Sequence, residues 1–132
     1  SINHLFQLPT WINVQSWAEA SLTSKLAAAY CNPIMSKYNN LIKGEKPTLI
    51  DFYADWCAPC KTMSPILSKV KSKMGNRATI IKINVDKNKA ISNKHNIRSI
   101  PTLILFKNGR QVWRKSGVVQ AKEIVAALER SM

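Results

Sequence analysis

The sequence predicts an α/β fold: a central mixed sheet of four to five strands flanked by helices, with an extra helical extension at the N-terminus. Three observations carry the prediction. From Thr48 onward, β-rich runs alternate with segments of helical periodicity in the order β-α-β-α-β-β-α. The first run, residues 48–54, is almost continuously apolar, the pattern of a strand covered on both faces. Near the other end, Asn108-Gly109 separates the apolar run closing on Phe106-Lys107 from Arg110-Gln111-Val112-Trp113. That is a hairpin signature, because both central positions of such a turn favour positive φ.

Residues 1–14 suggest a short strand and a loop. Ser16 and Glu19 have capping-box spacing, so a helix is expected over about residues 16–31, with Leu22 and Leu26 on its apolar side. Asn32-Pro33 reads as the start of a second helix over about 33–43, stopped by Gly44. After the 48–54 strand, Met63, Ile66, Leu67 and Val70 keep helical spacing across 58–73, and Pro65 inside that stretch predicts a kink. A second strand is expected over 78–85. Asp86 is expected to cap a short polar helix reaching His95, and a third strand covers 100–107. Past the hairpin, Ile124, Val125 and Leu128 mark an amphipathic helix over about 120–130. Strands joined through helices imply right-handed parallel crossovers, with one antiparallel edge added by the hairpin.

A chain of 132 residues is the size of one domain, and 45% apolar with 20% charged residues is a globular composition. No apolar run approaches the roughly 20 residues that span a bilayer. The net charge of +13 is large, yet its lysines and arginines are spread over several elements. No basic stripe is interleaved with stacking aromatics, so a solvated cationic surface is favoured over a specific nucleic-acid interface. Steering toward acidic partners or an anionic membrane surface is the secondary reading.

Of three cysteines, Cys57 and Cys60 stand two residues apart where strand composition gives way to helix composition, and Cys31 is alone. That placement lets one sulfur face solvent while the other lies a turn deeper. A zinc site wants four ligands, and beyond the pair the chain offers only Cys31, His4 and His95. A structural disulfide closing so short a loop removes little unfolded-state entropy. Redox exchange explains the position better, since a helix N-terminus stabilises a thiolate at Cys57. Cys31 reads as a small buried apolar residue.

The string from Asp51 through Trp56-Cys57-Ala58-Pro59-Cys60-Lys61, then Pro65, Arg98-Ser99-Ile100-Pro101-Thr102, Phe106-Lys107-Asn108-Gly109 and Gly117, resembles the thioredoxin family in composition, order and spacing. The resemblance covers residues 36–132, leaving 1–35 as an extension packed on or preceding the domain. It implies the thioredoxin fold and a protein-disulfide reductase in which Cys57 attacks and Cys60 resolves the mixed disulfide. Asp51, costly to bury charged, would relay the Cys60 proton beside Lys82. By the bland readings, Asp51 is a hydrogen-bonded core residue and Lys82 an outward lysine. Trp56, Ala58, Pro59, Ile100, Pro101, Thr102 and Gly117 would form the substrate-binding surface, with Pro101 in the cis form.

No cofactor or metal beyond the reversible Cys57–Cys60 disulfide is implied. The implied partners are disulfide-bearing proteins and an electron donor, either a thioredoxin-reductase-type flavoenzyme or a membrane donor, acting on a monomer. Ala58 stands where the family usually has glycine, and Ser99 replaces a usual glycine; the first bears on redox poise, the second on partner choice. Ile100 before Pro101 fits reducing members. A dedicated exported exchange protein and a binding scaffold with incidental redox chemistry are the alternatives. The reducing motif and the lack of a visible signal point to the cytoplasm; the chain begins at Ser1 without Met, and a removed upstream signal would move it to the periplasm or a membrane surface.

Overall fold

A computed structural model describes residues 11–13 and 33–132. Among them run β1 (Trp11–Asn13), α1 (Pro33–Ile42), β2 (Thr48–Tyr53), α2 (Ala58–Met74), a 3-10 turn (Gly75–Arg77), β3 (Thr79–Asn84), α3 (Lys89–Lys94), β4 (Thr102–Lys107), β5 (Arg110–Ser116) and α4 (Ala121–Arg130). The expected helix over 16–31, with its capping box, and the expectations for His4, Cys31 and Asn32 lie outside the described residues.

The sheet has the order β1-β3-β2-β4-β5 among the described residues. Strand β3 runs parallel to both β1 and β2, placing Asp51 opposite Lys82. One expectation is corrected. Strand β4 is antiparallel to β2 as well as to β5, so the connection from β3 to β4 is no parallel crossover. The reason is length: α3 has six residues and extends about 9 Å, whereas a return along a six-residue strand needs about 20 Å. The chain therefore turns back at the end of the sheet where β3 leaves it, close to the cysteines.

A second correction concerns the start of α3. Asn84 Oδ1 accepts the amides of Asp86 (2.9 Å) and Lys87 (3.3 Å), closing a turn after β3. The helix consequently begins at Lys89 with Asn88 as N-cap, and Asp86 is left for another use. Helix α2 runs through Pro65 to Met74. The hairpin forms as expected, with φ of 53° at Asn108 and 80° at Gly109. Its amides do a second job, donating to the carbonyls of Gly44 (3.0 Å) and Ile42 (2.7 Å) beyond and at the end of α1.

Each face of the sheet carries a core. Leu49, Ile80, Leu103 and Leu105 pack under α2 and α4, with Met63, Leu67 and Leu128 fully buried there. Ile50, Phe52, Ile81 and Phe106 pack on the other face with Tyr38 of α1 and Ile91 of α3. Truncating Leu67 to alanine removes fully buried methyls from the middle of the first layer. A loss of about 2–5 kcal/mol is expected from urea unfolding with unchanged slope. Val112→Ala on β5, where Val112 is 49% exposed, is the matched surface control and should stay within about 0.5 kcal/mol.

Candidate active site

Strand β2 delivers the chain to Ala54, and the turn Asp55-Trp56 hands it to α2 with Cys57 as N-cap. Cys57 N donates to Ala54 O (3.2 Å), closing that turn. Pro59 is tolerated in the first turn because an amide there lacks an intrahelical acceptor. Cys57 and Cys60 are joined by a disulfide with Cα atoms 5.3 Å apart. The Cys60 amide points back to the Cys57 Sγ at 3.2 Å. That N–H and the helix dipole would stabilise negative charge on the sulfur once the bond opens.

The expectation that one sulfur faces solvent is not met in this oxidised form. Cys57 and Cys60 are 3% and 4% exposed. Both lie in a small cluster with Ala54, against which Tyr53, Val85 and Ile100 pack. Trp56, by contrast, is 71% exposed and is tied down at one edge only, its indole donating to Asp86 Oδ2 at 2.8 Å. Ala58 and Pro59 are exposed on the same rim.

Beside Cys60 opens a cavity of about 190 Å³ lined by Tyr53, Ala54, Asp55, Lys61, Ser64 and Lys82. Lys82 lies over the Tyr53 ring at 4.8 Å and donates to Ser64 Oγ at 3.5 Å. Behind it, Asp51 is 1% exposed, and neither carboxylate oxygen has a hydrogen-bond partner among the described residues. Burial pushes the Asp51 carboxyl up to about 7, with the Lys82 ammonium pulling the other way. A carboxyl so placed can take up or release a proton near neutral pH.

On the other side, Trp56, Val85, Ile97, Arg98, Ser99 and Ile100 line a shallow groove of about 140 Å³. The Ile100-Pro101 peptide is cis. Thr102 does not reach the groove: it is 1% exposed, and its hydroxyl bonds Ser99 O (2.6 Å) and Ser116 Oγ (3.0 Å). Gly117, at φ 89°, donates to Pro101 O at 2.8 Å. Both stand behind the loop and hold it. Ser64, Val85 and Ile97 were not singled out from the sequence, and Asp86 was read there only as a helix cap. Ser64 alone left a trace there, one turn after Cys60 on the same helix face. His95, an offered zinc ligand, is bonded to the Tyr38 hydroxyl, and no group of three metal-ligating side chains occurs among the described residues.

The sequence profile of the thioredoxin family matches residues 30–130. The chain belongs to the thioredoxin family. It is 40% identical over 98 residues to thioredoxin Y, chloroplastic, of Oryza sativa, which covers 74% of this chain but only 58% of that protein. A thioredoxin-like protein of Synechocystis is 46% identical over 84 residues, 64% of this chain and 80% of its own length. Oxidised mitochondrial thioredoxin 3 of Saccharomyces cerevisiae superposes with a TM-score of 0.66 at 29% identity, covering 73% of this chain and 89% of that one. As a thioredoxin with a Cys57–Cys60 disulfide at the N-terminus of α2, the domain is a thiol–disulfide oxidoreductase.

Proposed function

We propose that this thioredoxin reduces disulfides of other proteins, with Cys57 as nucleophile, Cys60 as resolving thiol and Asp51 as proton acceptor. In the reduced form the Cys57 thiolate attacks one sulfur of a substrate disulfide. A Cys57–substrate bond forms, the substrate S–S bond breaks, and one substrate thiolate leaves. Cys60 then gives its proton toward the Asp51 carboxylate and attacks Cys57 Sγ. The second substrate sulfur leaves as a thiolate and the Cys57–Cys60 bond closes, so two electrons have passed to the substrate; its two thiolates take their protons from the Asp51 carboxyl and from solvent. The sulfurs carry the electrons, so the cycle calls on no bound cofactor; a flavin-dependent reductase or a membrane donor returns the dithiol.

The observation that supports this reading best is the Cys60 amide directed at Cys57 Sγ at a helix N-terminus. The Trp56–Ile100 groove beside the disulfide supplies an apolar seat for an extended substrate segment, with Arg98 in its lining. Insulin precipitation in dithiothreitol is the test. The protein is expected to accelerate it well above the dithiothreitol background, and a rate equal to background would overturn the reading.

A further inference from the structure

We propose that Arg114, on β5 and outside the groove, is a positioning residue for substrate recognition, acting through the backbone that carries the groove wall. Arg114 pairs in register with Ile104, whose side chain packs on the α1/α3 face of the sheet. From there its guanidinium reaches the end of α3, donating from Nη1 to His95 O (2.7 Å) and from Nη2 to Asn96 O (3.2 Å). These carbonyls lie where a helix leaves acceptors unfilled and its dipole is negative, so a forked cation fits them.

The same short stretch is held from elsewhere too. Lys94 donates to Asn39 Oδ1 at 2.8 Å. The His95 ring, bonded to the Tyr38 hydroxyl, packs at 6.0 Å from Phe52 and 5.2 Å from Phe106. Asn96 takes φ 52°, a left-handed conformation that needs support in a residue with a side chain. The next residues, Ile97 to Ile100, are the groove wall. That wall is thus fastened at its far end by the Thr102 and Gly117 bonds and at its near end by residues 94–96, where Arg114 contributes two hydrogen bonds to backbone carbonyls beside the Lys94–Asn39 contact. Losing them loosens the wall at its near end, while the N-terminus of α2 and Asp51, which Arg114 does not touch, keep their hydrogen bonds and burial.

The proposal rests on the reductase reading, and its test separates the two. Arg114→Gln is compared with the unmodified protein in three measurements: steady-state reduction of insulin, reaction of the reduced protein with dithiobis(nitrobenzoate), and amide exchange at Ile97–Ile100. The KM for insulin should rise about three- to tenfold, the scale of losing an ordinary hydrogen bond at an exposed position, with kcat nearly unchanged. The small aryl disulfide, which needs no groove wall, should react at the unmodified rate. Exchange at 97–100 should quicken, and Arg114→Lys should recover part of the KM. An unchanged KM, or equal slowing with both disulfides, would overturn the proposal. Should the unmodified protein not turn over insulin at all, the reductase reading fails, and unaltered exchange at 97–100 would then overturn the positioning role by itself.

Discussion

Cys57→Ser should abolish disulfide exchange, by at least about a thousandfold, whereas Cys60→Ser should still attack and then accumulate joined to its substrate. The asymmetry follows from where the two sulfurs lie. Cys57 is the N-cap and receives the Cys60 amide at 3.2 Å, a donor that stays in place when Cys60 loses its thiol because it belongs to the backbone. Cys60 lies one turn into the helix, facing the cavity shared with Lys82 and Ser64. Intact-mass measurement after mixing each reduced variant with insulin reads the difference directly. A stable adduct is expected for Cys60→Ser only; an adduct through Cys60 in the Cys57→Ser protein would reverse the assigned roles.

Asp51→Asn is expected to raise stability and lower activity together. In the folded protein the carboxyl holds its proton up to about 7, against an ordinary value of 3.8. The unfolded chain releases it near the ordinary value, so the folded state binds more protons between the two, and stability falls as pH rises from about 4 through 7. The span from 3.8 to about 7 corresponds to about 4 kcal/mol at 1.36 kcal/mol per pH unit. Asparagine keeps polar atoms in the same unpartnered site, so a gain of about 1–3 kcal/mol is expected at pH 8. Below pH 4 the gain should vanish. His95, held by burial at about 4 with Lys94 and Arg114 adding to the effect, contributes the opposite slope: stability is lost as pH falls from 6.5 through 4. That slope is common to both proteins and cancels when they are compared at each pH by urea unfolding. A constant difference across pH 4–8 would show that Asp51 titrates normally.

The activity loss comes from the same carboxyl. Without it the Cys60 proton has no acceptor held beneath the cavity, and the resolving step at pH 7 should slow at least about tenfold, the low end for general-base catalysis because buffer and hydroxide substitute. The loss should shrink as pH rises. Identical pH–rate profiles for the two proteins would remove Asp51 from the proton path.

Local physics was legible before any coordinates. The order of strands and helices from Thr48, the Asn108-Gly109 hairpin and the reactive pair at a strand-to-helix junction depend on neighbours a few residues apart. Periodicity, preference for positive φ and the reach of a short loop are properties of contiguous chain. Asp51 was conspicuous for the same reason, as the one charge in an apolar run. The family resemblance added the role of Lys82, which spacing alone leaves as an outward lysine.

Tertiary structure decided what distance along the chain conceals. Strand β4 enters antiparallel because α3 is too short to carry the chain back. Asp86 serves the Trp56 indole because Asn84 took the turn amides. Both cysteines are covered because Val85 and Ile100 close over them from other loops. Ser64 meets Lys82 18 residues away, and Tyr38 meets His95 57 residues away. By itself the sequence determined that a C-x-x-C pair would cap a helix beside a lone buried acid. Whether that acid found a partner, what covers the pair and what braces the substrate loop were settled by contacts between segments whose energies exist only once the chain has packed.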